Sequence, residues 1–192
     1  MRTLLAILLA ACAWGEDAVA LREELLAADA KLEGHAGWQL AELRKALPAD
    51  HRLRLRWGQV YDMSKNANVP LLVEAVAVDA QGREQGEERF YRPWTGPPIR
   101  TRQWRDGRLE GAERLFDGHP DGRGKLFCRQ EITWRAGVQE GPTRTFHPDG
   151  TPASETPYAA GKAEGLSRSW DAAGRLVREA PMRGGRDRKS VV

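Results

Sequence analysis

Four histidines (His35, His51, His119, His147) and two cysteines (Cys12, Cys128) are the side chains best suited to ligate a metal or attack an electrophile. His119 and His147 hold equivalent places in two His-Pro-Asp-Gly stretches, so stacked turns could bring both rings to one cation. The next equivalent stretch, Asp171-Ala172-Ala173-Gly174, has no ligand at that place, and Pro-Asp-Gly is ordinary turn chemistry. We therefore read these as turn residues and expect no metal and no cofactor. Gly118 to Lys125 resembles a phosphate-binding loop only on the surface: His119 stands where the first glycine is needed, and Leu126 replaces Ser or Thr. There is no Gly-x-Ser-x-Gly, Cys-x-x-Cys or His-Glu-x-x-His. Glu110, Glu140 and Glu164 recur just before Gly111, Gly141 and Gly165, and a carboxylate recurring this way reads as a turn or edge feature. A glycosidase needs two carboxylates in different environments about 5–9.5 Å apart, and nothing nominates such a pair. No catalytic residue is predicted, and the chain reads as a non-enzyme.

Cys12 has a different chemistry open to it. Met1-Arg2 precedes an apolar run, Thr3 to Ala11, of the length of a signal-peptide core, about 7–15 residues, and well short of the about 20 a membrane helix needs. Leu9-Ala10-Ala11-Cys12 resembles the bacterial lipobox, which implies cleavage before Cys12 and lipidation of its thiol. Several acyl chains, each buried methylene contributing about 0.8 kcal/mol, would anchor the protein to a membrane. Ordinary secretion is the rival, with residues 1–15 removed at Ala13-Trp14-Gly15; the third option is no processing. The expected location is the periplasm or outer membrane, or the exterior. With Cys12 modified, Cys128 has no partner in the chain and reads as a buried structural thiol.

Composition narrows the partners. Thirty Lys and Arg oppose 27 Asp and Glu, giving a net charge of +3, too small to imply nucleic acid. Mean hydropathy of −0.60 predicts a soluble protein, and 41 % hydrophobic residues with seven Trp argue against disorder.

The elements that must position these groups come in two styles. Leu21, Leu25, Ala28 and Leu32 share a helical face, and Leu40, Leu43 and Leu47 repeat the pattern up to Pro48, so residues 16–48 are expected to be a helical segment. From residue 49 the period changes to two. Leu53, Leu55 and Trp57 alternate with Arg52, Arg54 and Arg56, predicting a strand with its charges toward water, and Leu71 to Val78 reads as a deeper strand. The breaker Arg92 to Pro98 closes a β segment spanning 49–98. Residues 99–186 carry the dominant signal, and 187–192 form a basic tail.

That signal is a 24-residue period: Trp134, Tyr158 and Met182; Gly137, Gly161 and Gly185; Gly141 and Gly165; Phe146 and Trp170; Gly150 and Gly174. Self-similarity at fixed spacing means a repeat array. Turns ending in Gly107, Gly137 and Gly161 alternate with turns ending in Gly122, Gly150 and Gly174, leaving strand-length segments between them. Each unit is thus a β-hairpin, and the first is lengthened around His119. Gly82, 25 residues before Gly107, marks a degenerate copy. Trp104, Trp134 and Tyr158 should form one aromatic ladder across the sheet, and Phe116, Phe146 and Trp170 another.

Gly137, Gly141, Phe146, Gly150 and Tyr158, repeated as Gly161, Gly165, Trp170, Gly174 and Met182, resemble the bacterial MORN-variant repeat. The resemblance implies tandem hairpins in an extended single-layer antiparallel sheet, hence a mainly β fold. Members are often exported or lipidated, and many carry an antitoxin label. The leading expectation is an envelope protein that binds another protein through its sheet face, with Trp104, Trp134, Tyr158 and Trp170 as candidate binding aromatics. A polysaccharide or peptidoglycan binder using those rings, and an antitoxin or immunity protein, are the alternatives.

Overall fold

The computed structural model describes residues 22–27, 43, 47–64, 66–91, 97–118 and 125–187. Cys12, His35, His119, Gly122, the breaker Arg92 to Gly96 and the tail from Arg188 lie outside the described residues. The chain divides between Pro98 and Ile99 into two compact units.

The first unit contains β1 (Arg22–Ala27), β2 (Arg52–Asp62), β3 (Ala67–Val78) and β4 (Glu84–Phe90), antiparallel and in chain order. β1 corrects the first part of the helical reading of 16–48: Arg22 to Ala27 pair with β2 in unbroken register, from Arg22↔Trp57 to Ala27↔Arg52. An isolated helix of fewer than about 12–15 residues is marginal, so an available sheet edge outweighs the 4-3-4 apolar spacing. The second leucine run lies outside the described residues apart from Leu43 and Leu47, which pack against the core.

That core is built by alternation. Leu53 and Leu55 of β2 are 1 % and 0 % exposed and lie opposite Ala77 and Ala75, with Leu72 and Tyr91 completing the cluster. The other face of β3 is closed as well, since Val76 and Val78 are buried. The arginines of β2 therefore do not simply point into water. Arg54 donates to Glu84 at 2.7 Å and Arg56 to the buried Glu74 at 3.2 Å, so their stems cover the sheet while the heads are neutralised.

β3 turns into β4 through Asp79 to Arg83. The Asp79 amide donates to the Arg83 carbonyl, the Gly82 amide to the Asp79 carbonyl, and Gly82 takes φ +79°. Asp79 is the keystone: its carboxylate accepts the Gln81 and Arg83 amides at 3.0 and 2.9 Å, the Arg83 guanidinium at 2.8 Å and the Gln85 amide nitrogen at 3.2 Å. Burial works against its ionisation, but the bonds from Arg83, Gln85 and Gln81 win and hold its pKa at about 2, below the ordinary 3.8. A carboxyl whose pKa is lowered by folding stabilises the protein above its unfolded value and loses that contribution as pH falls through the folded one. Stability should therefore drop between about pH 4 and pH 2. Asp79→Asn should flatten that part of the profile, as followed by urea midpoints at several pH values.

The second unit holds β5 (Arg100–Arg105), β6 (Arg108–Leu109), β7 (Gly111–Gly118), β8 (Leu126–Arg135), β9 (Val138–Phe146), β10 (Pro152–Ala159), β11 (Lys162–Ala163), β12 (Gly165–Trp170), β13 (Leu176–Arg183) and β14 (Arg186–Asp187). They form one antiparallel meander, β5-β7-β8-β9-β10-β12-β13-β14, with β6 on β5 and β11 on β10. Among its described residues the only buried apolar side chains are Ala163 and Ala180, as a single layer with two wet faces requires. Pairing between strands, not a core, must hold it.

The two turn families differ physically. At Asp106-Gly107, Ala136-Gly137, Ala160-Gly161 and Gly184-Gly185 both residues have positive φ, the two-residue hairpin turn whose twist matches the strands. At Gly150 and Gly174 only the closing glycine is left-handed, after a three-residue loop. Asp171 caps its turn as Asp79 does, accepting the Ala173 and Arg175 amides at 3.0 and 2.9 Å and the Arg175 guanidinium at 2.8 Å. Gly82 therefore closes a turn of the Gly150 and Gly174 family, which corrects its matching to Gly107 by a 25-residue distance: no residue before Gly82 in that turn is left-handed, whereas Asp106 before Gly107 is.

The recurring glutamates now have a task. Glu110, Glu140 and Glu164 accept the first amide of the following hairpin turn, at Ala136 (2.8 Å), Ala160 (2.8 Å) and Gly184 (2.9 Å). The second turn amide, at Gly137, Gly161 and Gly185, donates to the carbonyls of Leu109, Gln139 and Ala163. Each turn is thereby locked to the previous one, and its exposed donors are satisfied.

Candidate functional site

The central feature of the second unit is a row of alternating charges. Arg114 (β7) stands opposite Glu131 (β8), Glu131 opposite Arg144 (β9), Arg144 opposite Glu155 (β10), Glu155 opposite Arg168 (β12), and Arg168 opposite Glu179 (β13). The guanidinium of Arg114 donates to Glu131 at 2.8 Å, Arg144 to Glu155 at 2.7 Å and Arg168 to Glu179 at 2.9 Å; Arg144 also approaches Glu131 at 3.9 Å. The side chains are half-exposed, so each pair stabilises by a few tenths of a kcal/mol up to about 1 kcal/mol. Their larger effect is on register, because a one-residue slip moves a whole row to the other face.

The residues that alternate with the charged row are hydroxyl-rich. Thr145 bonds Ser154 at 2.6 Å and Thr156 bonds Ser167 at 2.8 Å, each across neighbouring strands. One face is thus ionic along its midline, and the other carries these hydroxyl pairs across β9, β10 and β12.

The predicted aromatics are all half-buried, and they do not face each other. Trp134 lies opposite Gly111, Tyr158 opposite Gly141, and Met182 opposite Gly165. Trp104 lies opposite Leu109, Phe116 opposite Cys128, Phe146 opposite Pro152, and Trp170 opposite Leu176. A repeat is two strands wide, so equivalent rings are separated by a whole strand, about 10 Å at the usual spacing. The expected direct ladder is absent, and Trp134 and Tyr158 each stand opposite a glycine. Trp134 is further committed: its Nε1–H donates to Glu113 at 2.8 Å. Glu113, 2 % exposed, also pairs with Arg100 and stands 3.5 Å from Arg102 Nε.

The other candidates are placed as follows. His147 Nε2 stands 3.2 Å from the Trp170 carbonyl, tying two adjacent turns together. No group of three His, Cys, Asp or Glu converges among the described residues. Cys128 is half-buried, and burial, followed by the Glu131 carboxylate, pushes its thiol pKa up, so little thiolate forms at neutral pH. In the first unit a cavity of about 410 Å³ is lined by Leu43, Leu47, His51, Gln85, Glu87 and Arg89 among others. Its charged groups are engaged: Arg89 donates to Glu87 at 2.6 Å and His51 meets Asp50 at 2.9 Å.

Sequence reasoning missed the charged row and Glu113. The row had a signal, since Glu131, Glu155 and Glu179 follow the 24-residue period, as do Arg144 and Arg168. Glu113 had none, because it occurs in one copy only.

No protein-family profile, curated protein or solved structure matches this chain.

Proposed function

We propose that this is an exported, non-enzymatic repeat protein of the MORN-variant type that binds another protein of the cell envelope through its second unit. The lipobox-like Leu9-Ala10-Ala11-Cys12 supports attachment to the membrane through Cys12, or secretion if the cleavage falls after Gly15. The single observation carrying the binding role is the alternating Arg–Glu row across six strands, half-exposed along an unburied sheet. Such a surface offers many weak polar contacts over a broad area, and its arginines and half-exposed rings are residue types enriched at protein–protein interfaces. Titratable side chains along the row are spent on neighbouring strands and not gathered around a reacting centre. The polysaccharide reading has less support, since the half-buried Trp134 indole is tied to Glu113 in place of standing open for a sugar. The antitoxin reading rests on the family resemblance alone.

The test is recovery of a defined partner from envelope extract by the full chain, with Arg144→Glu/Arg168→Glu as the control. A protein recovered by the parent and lost, at least about tenfold, with the variant supports the reading. Equal recovery by both forms removes the charged row from it. Mass spectrometry of the mature N-terminus tests the location: an acylated Cys12 supports anchoring, and a free Glu16 discards it.

A further inference from the structure

The repeat writes its own rule for which strand follows which. Incoming strands β7, β9 and β12 share the pattern Gly-x-x-Arg-x-aromatic: Gly111, Arg114, Phe116; Gly141, Arg144, Phe146; Gly165, Arg168, Trp170. Outgoing strands β8, β10 and β13 carry Glu131, Glu155 and Glu179. The outer edges of β8 and β10 receive the next incoming strand, with its arginine opposite the glutamate. The glycine of that strand has a steric reason too. A Cβ on Gly141 would meet Thr133 at 3.4 Å, and one on Gly165 would meet Pro157 at 3.0 Å.

β13 is the third outgoing strand, and among the described residues β14 covers it only at Met182 and Arg183. Beyond them Pro181, Glu179 and Val177 repeat the outward-facing positions of the strand, because a two-residue hairpin turn makes Arg183 an exchanged hydrogen-bond pair and the direction alternates along the strand. Leu176 and Val177, 52 % and 62 % exposed, flank this edge. The chain's own continuation departs from the rule: 24 residues beyond Glu164, Gly165 and Arg168 stand Arg188, Lys189 and Val192.

We propose that the outer edge of β13 binds an extended segment of a partner polypeptide in antiparallel pairing, its arginine opposite Glu179 and its glycine, three residues earlier, against Pro181. Strand addition supplies the main-chain hydrogen bonds, the Arg–Glu pair sets register, and the glycine avoids the Pro181 ring as Gly165 avoids Pro157. The aromatic two positions after the arginine falls beside Val177. The inference deepens the protein-binding reading by naming the edge and the partner's chemistry.

The probe is a labelled peptide with the sequence of Lys162 to Trp170, added to the intact full chain and followed by fluorescence anisotropy. Saturable binding is expected, weakened at least about tenfold in the Arg168→Glu and Gly165→Val forms of the peptide. Glu179→Arg in the protein should reverse the charge preference, binding the glutamate peptide better; the peptide series on the unaltered protein stands without that variant. Equal binding of all three peptides, or none up to millimolar concentration, overturns the proposal. Failure of the peptide while an envelope partner is still captured rejects the β13 edge alone; failure of both rejects the protein-binding reading with it.

Discussion

Replacing Glu113 by alanine is expected to destabilise the second unit by about 2–4 kcal/mol, more than any other single change of a polar residue there. Glu113 is 2 % exposed and joins three groups from two strands: Arg100 and Arg102 of β5 and the Trp134 indole of β8. Truncation leaves the indole N–H without its acceptor and removes the buried carboxylate that Arg100 and Arg102 approach. The cost is therefore that of an indole donor left unpaired and a buried carboxylate network broken, well above the value of an exposed ion pair. Glu113→Gln should cost less, about 1–2 kcal/mol, because an oxygen still accepts from Trp134 while the charge is lost. Urea unfolding followed by tryptophan fluorescence separates the two, and equal midpoints for parent and alanine variant would refute this role.

The second large effect is at Gly165. Valine there should cost about 3 kcal/mol or more, combining two penalties. Its φ of +107° is open to glycine and strained for any other residue, and the new Cβ would stand 3.0 Å from the Pro157 ring carbon, so tight that the ring must give way. Gly174→Ala is the internal comparison. That position also has positive φ (+75°), but nothing lies within 4 Å of the added carbon, so only the backbone term of about 1 kcal/mol remains. If both substitutions cost the same, the contact with Pro157 carries no weight and the steric part of the strand rule fails.

Much of this architecture was legible before any coordinates. The 24-residue spacing of glycines and aromatics places the hairpins, because left-handed turn positions and the rings opposite glycines recur wherever the same hairpin recurs. Glu110, Glu140 and Glu164 were readable as turn features from their place before a glycine, although that each caps the next turn in place of its own was not. The segment Arg22 to Ala27 misled for a definite reason: its apolar spacing suits a helix, while its conformation is set by the edge of β2, more than 20 residues away in sequence. Arg54 and Arg56 looked solvated because alternation alone cannot see Glu84 and Glu74 arriving from other strands. The charged row was hidden in plain periodicity, since charge was read for net sign and not for register. Glu113 was illegible, as a lone carboxylate is buried only when three donors from elsewhere meet it.

The register of the second unit is what every functional statement here depends on, and cross-strand proton contacts in solution read it directly. Nuclear Overhauser contacts should link Glu131 with Arg144, Arg144 with Glu155, and Glu155 with Arg168, with slow amide exchange through β8, β9 and β10. Pairings displaced by one residue, or helical shifts anywhere between positions 126 and 183, would contradict the account.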